Sequence, residues 1–232
     1  MPVEVKISAP EPDSLAERRR VWLGRSHLYL ICDAKPGGDE PEEILRPALQ
    51  AGVDVVQLRD KAADDREIVE AGRIFRRLCD AYDALFIVND EPELAIACAA
   101  DGVHLGQEDA SPSQVRKVIG PDSLIGLSTH SRKQIEASRD VDYIAVGPVY
   151  KTPTKPDYEP VGLGLVRWAA DHAPLPFFAI GGIDSTNALD VLSAGATRLA
   201  VVRAIRDAAD PGDAARELKT LIAEKVGIPA TD

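Results

Sequence analysis

Short apolar runs recur along the chain from residue 27 onward, and each is followed by a longer segment with helical periodicity. Segment 66–81 shows that periodicity most clearly, because its apolar residues recur every three or four positions between charged ones. The apolar runs are short and bounded by polar residues, so they predict buried strands. Eight such runs occur, at 28–32, 53–58, 84–88, 102–105, 124–127, 143–149, 176–180 and 198–202.

Eight helical segments alternate with these strands, at 42–51, 66–81, 93–100, 113–119, 132–138, 163–172, 186–194 and 214–225. Eight consecutive strand–helix units favour a (β/α)₈ TIM barrel, in the α/β class, over a doubly wound open sheet. The open sheet would carry a glycine-rich nucleotide turn after its first strand, and the glycine spacing there is wrong. We therefore predict one barrel domain over 27–232 and a short N-terminal extension over 1–26, with a short outer helix at 15–22.

Composition limits the classes of function. The chain is 45% hydrophobic and 28% charged, and its net charge of −11 argues against a general nucleic-acid surface. No apolar run is long enough to span a bilayer, and the first 22 residues lack the apolar core of a secretory signal. The three cysteines are scattered and form no metal or redox motif. We expect a cytoplasmic protein that binds neither membrane nor nucleic acid.

Two aspartates follow the third and fourth strands. In a parallel barrel the carboxyl ends of the strands meet on one side, so Asp90 and Asp109 are expected to face the same site. Two converging carboxylates can hold a hard cation such as Mg²⁺, which then binds phosphate oxygens. The alternative is structural, with each aspartate capping the helix that begins near 92 or 112.

The second strand ends in polar residues of unusual character. Because side chains alternate along a strand, Gln57, Arg59 and Lys61 are expected on one face. Cationic side chains that face inward require an anionic partner, which predicts an anionic ligand. The alternative is a surface rim in which the two cations pair with Asp60 or Asp64.

Hydroxyl and lysine side chains follow the fifth and sixth strands. Ser128 can donate to a phosphate, whereas neighbouring hydroxyls such as Thr129 have helix capping as their alternative role. The loop 151–162 is the longest irregular segment of the barrel, and it carries Thr152, Thr154 and Lys155. Loops of this length are often functional, although a plain proline-stiffened linker is the alternative.

The seventh strand ends in a pair of glycines that includes Gly182, and Arg203 follows the eighth strand. Barrels commonly hold a phosphate in the loops after these two strands. Paired glycines also let a phosphate approach backbone N–H groups. The positive charge at this end of the barrel exceeds what one monophosphate needs. We therefore predict two phosphorylated small-molecule substrates and group transfer with pyrophosphate as the leaving group.

Seven stretches, taken in this order and spacing, resemble the thiamine-phosphate synthase family, also called thiamine-phosphate pyrophosphorylase. They read QLRDK, VND, DGVHLGQED, GLSTH, GPVYKTPTK, AIGGI and VVRAI, within a resemblance from about residue 27 to 225. The resemblance implies a transferase of thiamine biosynthesis that joins 4-amino-5-hydroxymethyl-2-methylpyrimidine diphosphate to 4-methyl-5-(2-hydroxyethyl)thiazole phosphate or its carboxylated form. It also implies a dissociative, Mg²⁺-assisted reaction that releases pyrophosphate.

The resemblance further implies a role for each matching residue. The pyrimidine diphosphate would be bound by Gln57, Arg59, Lys61, Asn89, Ser128 and Lys155, with Arg59, Lys61, Ser128 and Lys155 acting in catalysis. Asp90 and Asp109 would hold Mg²⁺. The thiazole phosphate would be bound by Thr152, Thr154, Gly182, Val202 and Arg203. One position departs from the family pattern, in which a serine stands where this chain has Arg203.

Three other functions are compatible with a phosphate-binding barrel. A thiazole tautomerase-like isomerase would not need the full set of diphosphate-binding residues. A non-catalytic phosphate-ligand sensor would have lost at least one of the metal or diphosphate residues. A barrel isomerase of amino-acid biosynthesis would account for the paired glycines but not for the charged cluster after strands 2 to 4.

Overall fold

A computed structural model describes residues 14–152 and 159–227 of the chain. Within these ranges, eight parallel strands form a closed barrel in which each strand pairs with its sequence neighbours and the eighth pairs with the first. The strands are β1 (Leu28–Cys32), β2 (Val55–Leu58), β3 (Leu85–Asn89), β4 (Gly102–Leu105), β5 (Leu124–Thr129), β6 (Tyr143–Val146), β7 (Phe177–Ile180) and β8 (Leu199–Val201). The predicted TIM barrel is confirmed.

One helix precedes the first strand, and the others follow the strands around the outside of the barrel. They are α1 (Leu15–Arg25), α2 (Glu42–Gln50), α3 (Asp65–Ala81), α4 (Pro92–Ala97), α5 (Pro112–Ile119), α6 (Arg132–Ala137), α7 (Gly162–His172), α8 (Ala188–Ser193), α9 (Arg203–Arg206) and α10 (Pro211–Val226). The eight predicted helical segments are present with shifted ends, and α9 was not predicted. Strand β6 ends earlier than predicted, because Pro148 has no N–H to continue the ladder.

The strands separate two apolar regions. Outward residues such as Phe86 and Ile144 join the large core between the strands and the helices. Inward residues such as Tyr29, Tyr143 and Phe178 form a second cluster inside the barrel. Because the strands are buried on both faces, they read as continuous apolar runs in the sequence. Alternation along each strand then decides which residues line the interior.

Helix α1, which falls within the predicted extension, covers the amino-terminal opening of the barrel. Its Leu23 is buried in the interior cluster beside Leu85 and Leu124. Two charged contacts hold the helix in place. Arg19 Nε lies 3.0 Å from Asp101 Oδ1, and Arg20 Nε lies 2.7 Å from Asp142 Oδ1. This helix seals the end of the barrel opposite to the strand ends that carry the predicted site.

An aspartate immediately precedes β2, β4 and β6 and performs the same task at each strand. Each carboxylate accepts a hydrogen bond from the backbone N–H of a neighbouring strand and pairs with one or two basic side chains. The sets are Asp54 with Leu28 and Lys219, Asp101 with Phe86, Arg19 and Arg76, and Asp142 with Ile125, Arg20 and Arg116. These partners show that the three aspartates are structural groups.

None of the helices in the two described ranges is both long enough and apolar enough to cross a membrane.

Candidate active site

A cavity of about 350 Å³ opens at the carboxyl ends of the strands. Its walls come from strand ends around the barrel and from the loops that follow them. Eight of the residues predicted from the sequence line it, namely Gln57, Arg59, Asn89, Ser128, Thr152, Gly182, Val202 and Arg203. Two further predicted residues, Thr154 and Lys155, lie outside the described residues.

Three predicted residues form a charged cluster beside this cavity rather than lining it. The Lys61 ammonium makes an ion pair with the Asp90 carboxylate, and Asp109 is hydrogen-bonded to Asp90. Partial burial raises the pKa of Asp90, but the Lys61 hydrogen bond and the charges of Lys61 and Arg59 outweigh it and leave the pKa below its ordinary value. For Asp109, burial and the negative charge of Asp90 raise the pKa above its ordinary value. The hydrogen bond from the Gly106 N–H lowers the pKa but does not outweigh them. The two carboxylates therefore converge as predicted.

The capping alternative for these aspartates is wrong. Glu91 occupies the N-cap position of α4, and Ser111 caps α5 in a reciprocal pair with Gln114. Asp109 instead accepts the N–H of Gly106 at 2.6 Å within its own turn. Asp90 has a left-handed backbone with φ of 61°, an uncommon conformation that turns it away from the strand direction.

Two carboxylates are a sufficient protein contribution for Mg²⁺. The described residues contain no group of three or more acidic, histidine or cysteine side chains arranged to hold a metal. Mg²⁺ commonly uses one or two carboxylates and takes its other ligands from water and substrate phosphates. The donor set of Asp90 and Asp109 therefore fits this ion, provided that a phosphorylated substrate completes the coordination.

Arg59 lines the cavity, and no hydrogen bond or ion pair joins its side chain to a described residue. Its half-buried guanidinium makes no hydrogen bond or ion pair with any other described residue, and only its backbone N–H is used, bonding to Cys32. The rim-pairing alternative does not hold, because Asp60 accepts backbone N–H groups of its own loop and Asp64 caps α3. A half-buried cation that faces a cavity is suited to bind an anion.

A chain of five polar side chains crosses the barrel interior at the bottom of the cavity. Gln57 Nε2 donates to Tyr29 Oη at 2.8 Å, and Tyr29 Oη lies 3.0 Å from Tyr143 Oη. His104 continues the chain, with Nδ1 at 3.2 Å from Tyr143 Oη and Nε2 at 3.0 Å from Ser128 Oγ. Burial raises the pKa of both tyrosines well above the usual value, so their hydroxyls stay neutral.

Tyr29, His104 and Tyr143 were not among the predicted site residues. A signal for them exists, because each occupies an inward position of its strand, in alternation with outward apolar residues. A glycine on the next strand makes room for two of them. A Cβ atom on Gly126 would overlap the Tyr143 ring and the His104 imidazole. Polar groups at such positions must be satisfied inside the barrel, which explains their mutual hydrogen bonds.

The hydroxyls that end β5 have separate roles. Thr129 points outward, is fully buried and donates to the Ala145 carbonyl at 2.9 Å. Ser131 caps α6 through the backbone N–H of Gln134. Ser128 alone among these three lines the cavity. The capping role is therefore wrong for Thr129 and belongs to the neighbouring Ser131, and Ser128 is left available to a ligand.

The loops after β7 and β8 form the opposite wall of the cavity. Gly182 has φ of 66°, and a Cβ atom there would lie 2.8 Å from Tyr150 Cβ, so the backbone has no room for a side chain. The backbone N–H groups of Gly182, Ile183, Arg203 and Ala204 have no acceptor among the described residues. All four residues line the cavity. Such a group of donors, without a side chain in front of Gly182, can bind a phosphate.

Comparison with known proteins adds an independent line of evidence. A family model described as thiamine monophosphate synthase matches residues 28–205. Thiamine-phosphate synthase of Acidothermus cellulolyticus is 44% identical over 205 residues, which cover 87% of this chain and 97% of that protein. The structure of thiamine phosphate pyrophosphorylase from Pyrococcus furiosus superposes with a TM-score of 0.81 at 36% identity, covering 90% of this chain and 100% of the other.

Other relatives are considerably longer. Thiamine-phosphate synthase of a Nostoc strain is 43% identical over 212 residues, which cover 89% of this chain but 58% of that protein. The chain thus spans between one half and two thirds of the length of this relative. The residues matched by the family model contain all eight strands, β1 to β8, and the loops between them.

Proposed function

Because the chain belongs to the thiamine monophosphate synthase family, we propose that it joins 4-amino-5-hydroxymethyl-2-methylpyrimidine diphosphate to 4-methyl-5-(2-hydroxyethyl)thiazole phosphate. The products are thiamine phosphate and pyrophosphate. The carboxylated thiazole phosphate is a second possible substrate, and its carboxylate must leave as carbon dioxide for the same product to form. The observation that carries this proposal is the arrangement of two anion-binding regions at opposite walls of one cavity.

We assign the pyrimidine ring to the inner part of the cavity. An aminopyrimidine presents amino hydrogens as donors and ring nitrogens as acceptors. Gln57 uses its Nε2 to bond Tyr29, while its Oε1 has no donor among the described residues. That oxygen can accept from the amino group of the ring. Phe178 and Ile31 supply apolar surface in the same inner part of the cavity.

We assign the diphosphate to the region between β2, β3 and β4. Arg59 and Asn89 face the cavity there, and Lys61 lies next to them. Two carboxylates among these cations would repel a diphosphate if nothing stood between them. Their presence is reasonable when Asp90 and Asp109 hold Mg²⁺, which would neutralise the leaving-group oxygens when bound.

The reaction needs stabilisation of charge more than it needs proton transfer. The C–O bond between the pyrimidine methylene group and the diphosphate breaks, and both electrons leave with the diphosphate oxygen. The resulting cation is stabilised by the ring amino group, and the lone pair of the thiazole nitrogen then forms the new C–N bond. Arg59 and Lys61 stabilise the charge that grows on the leaving group. Ser128, at the end of β5, can donate a hydrogen bond to the pyrimidine diphosphate from the other side of the cavity.

The walls of the cavity also limit competing reactions. A carbocation formed in water would be captured as the alcohol, so the site must exclude water. Ile31, Ile180 and Phe178 place apolar side chains around the inner cavity. The thiazole phosphate is assigned to the β7–β8 wall, where Thr152, Gly182 and Val202 line the cavity. Two residues outside the described ranges stay predictions, Thr154 for the thiazole phosphate and Lys155 for the pyrimidine diphosphate.

The alternative functions are less well supported. A tautomerase-like isomerase does not require a diphosphate site, yet Arg59, Lys61, Asp90 and Asp109 are all retained and grouped together. A phosphate sensor without catalysis would have no use for a paired-carboxylate site. The amino-acid-biosynthesis isomerase does not explain the Lys61–Asp90–Asp109 cluster either.

The decisive experiment is to incubate the purified protein with Mg²⁺, the pyrimidine diphosphate and each form of the thiazole phosphate in turn. We expect thiamine phosphate and pyrophosphate in equal amounts with at least one form. Isomerisation of the carboxylated thiazole phosphate without condensation would support the tautomerase alternative. Binding of the substrates without any product would support the sensor, and either outcome would refute the proposal.

A further inference from the structure

The polar side chains that cross the barrel interior share their hydrogens in a fixed order. Gln57 Nε2 donates to Tyr29 Oη, so the Tyr29 oxygen is the acceptor of that bond. The Tyr29 hydrogen then has one acceptor among the described residues, which is Tyr143 Oη at 3.0 Å. The Tyr143 hydrogen likewise has one, His104 Nδ1 at 3.2 Å. Because each phenol carries a single hydrogen, the first bond fixes the direction of the next two.

The same reasoning assigns the hydrogens of His104 and Ser128. Since Nδ1 of His104 accepts from Tyr143, the neutral ring carries its hydrogen on Nε2, which donates to Ser128 Oγ at 3.0 Å. An imidazolium would point a hydrogen at the Tyr143 oxygen and leave the buried Tyr143 hydrogen without an acceptor among the described residues. Ser128 therefore accepts from His104 and keeps its own hydrogen for a ligand in the cavity.

The two ends of the chain consequently present opposite groups to the cavity, which both end residues line. Gln57 presents Oε1, an acceptor, whereas Ser128 presents its hydroxyl hydrogen, a donor. If the Gln57 amide were reversed, Tyr29 would have to donate to it, and every later bond would reverse as well. The Ser128 hydrogen would then point at His104 instead of the ligand. The acceptor at one end and the donor at the other are therefore linked.

Packing inside the barrel holds this chain in place. The Phe178 ring makes edge-to-face contacts with the rings of Tyr29 and Tyr143, at centroid distances of 5.2 and 5.7 Å. Gly126 leaves no free space beside the chain, because a Cβ atom there would lie 2.2 Å from the Tyr143 ring and 2.5 Å from His104 Nδ1. The phenol and imidazole rings therefore cannot swing to other partners without a shift of their neighbours.

We propose that Tyr143 and His104 are positioning residues that fix the direction of this chain, and that this direction makes the site select a pyrimidine with an amino group at Gln57 over one with an oxo group. An amino group donates to Gln57 Oε1, whereas an oxo oxygen would face it as a second acceptor. The identity of the ring rests on the proposed function. The direction of the chain rests on the hydrogen bonds alone.

The first test measures the His104 tautomer in the wild-type protein without any ligand. Long-range ¹H–¹⁵N correlation spectra of protein with labelled histidine distinguish a protonated ring nitrogen from an unprotonated one. The chain has four histidines. The His104 signals are assigned by their loss in His104→Gln or, in the wild type, by nuclear Overhauser contacts with the Tyr143 ring. We expect the hydrogen on Nε2. A hydrogen on Nδ1, alone or together with one on Nε2, would overturn the inference.

The second test uses titration calorimetry with two diphosphates, the pyrimidine substrate and an analogue in which an oxo group replaces the amino group. Binding is measured in place of turnover because the amino group also stabilises the cation. We expect the wild type to bind the analogue about 10- to 100-fold more weakly, the size of one unsatisfied buried polar group. Equal binding would overturn the inference. If neither compound binds, the proposed function and the specificity fail together, and the His104 tautomer alone decides the direction of the chain.

The third test breaks the chain with Tyr143→Phe. The Tyr29 hydrogen then has no acceptor at position 143 and can bond to Gln57 Oε1, so the amide is free to reverse. We expect the preference for the amino compound to fall about fivefold or more, through weaker binding of the substrate and tighter binding of the analogue. This change in preference distinguishes a positioning role from a loss of packing.

The matched control is Tyr82→Phe, which removes a hydroxyl that accepts from Arg46 and Gln50 on the outer surface. It should leave the preference within about twofold of the wild type. If Tyr143→Phe weakens the binding of both diphosphates equally, Tyr143 has a structural role only and the inference is wrong.

Discussion

His104 Nε2 lies 3.0 Å from Ser128 Oγ, so the inner end of the cavity is tied to the polar chain that crosses the barrel interior. His104 is 7% exposed and reaches Tyr143 with its other ring nitrogen. Ser128 is thus oriented by a buried group rather than by solvent. A hydroxyl held in this way is suited to contact a substrate with a defined geometry.

Ser128→Ala is expected to lower kcat/KM for the pyrimidine diphosphate by about tenfold or more, because it removes a contact to the substrate and leaves His104 Nε2 without that partner. Thr129→Val is the matched control, since it removes the neighbouring hydroxyl from the outer face of the same strand. That variant should lower the melting temperature with little change in kcat/KM. Steady-state kinetics and thermal unfolding of both variants provide the comparison. Equal kinetic effects in the two variants would contradict the assignment of Ser128.

Arg59→Ala should reduce kcat more than it raises KM, because the charge on the leaving pyrophosphate grows as the C–O bond breaks. A loss in kcat/KM of about 10²-fold is typical of removing one such charge-stabilising group. Arg73→Ala removes an exposed arginine from α3 and should behave as the wild type. An effect of Arg59→Ala on KM alone would indicate uniform binding of ground and transition states.

Asp109→Asn is expected to abolish most activity and to raise the Mg²⁺ concentration needed for half-maximal rate by about tenfold or more. Asparagine keeps an oxygen to accept the Gly106 N–H, so the turn is preserved while the charge is lost. Glu108→Gln removes the same charge from the adjacent exposed position and should leave the Mg²⁺ dependence unchanged. Wild-type activity that persists in excess chelator would remove the basis for a metal at Asp90 and Asp109.

Gly126→Ala tests the space inside the barrel. The added methyl group would overlap Tyr143 and His104, so we expect a loss of about 1–3 kcal/mol in the free energy of unfolding and weaker binding of the pyrimidine diphosphate. Gly164→Ala is the control, because a Cβ atom there meets nothing within 4 Å. That variant should match or exceed the wild type in stability. Denaturant titration and calorimetry with the substrate measure the two effects.

The buried thiols and phenols predict instability at alkaline pH. Burial raises the pKa of Cys32 and of Cys79 from 9.0 to about 12, and it raises those of Tyr29 and Tyr143 well above 10.0. The folded state thus keeps protons that the unfolded chain loses. The stability linked to the two thiols is fully present below pH 9 and declines as the pH rises above it, and that linked to the two phenols declines only above pH 10. Each group contributes a loss of about 1.4 kcal/mol per pH unit above its unfolded pKa.

Melting temperatures measured between pH 7.5 and 10.5 test this prediction. Cys79→Ala should melt at a lower temperature throughout but show a shallower decline above pH 9, because one thiol no longer contributes. A melting temperature that stays constant up to pH 10.5 would show that these groups ionise freely in the folded protein.

The local pattern of apolar and polar residues predicted much of the architecture. The apolar runs and periodic segments predicted the order of strands and helices and the barrel itself. Alternation along the second strand correctly predicted that Gln57 and Arg59 face inward. The backbone N–H of Arg59 still bonds to the Cys32 carbonyl of β1, just beyond the end of β2. The same rule does not reach Lys61, because alternation is no longer enforced two residues further on. Lys61 consequently lies beside the cavity, in an ion pair with Asp90.

The hydrogen bonds of the polar chain inside the barrel could not be predicted from the sequence, for a different reason. Tyr29 and Tyr143 are 114 residues apart, and their hydroxyls meet only because the sheet closes on itself. Whether Asp90 and Asp109 cap the following helices or converge also depended on the backbone after each strand. The sequence by itself determined which residues are apolar, which face of each strand is buried and where the phosphate-binding residue types occur. Only the tertiary structure decided which side chains meet across the barrel, because barrel closure and register are set by the packing of all eight strands together.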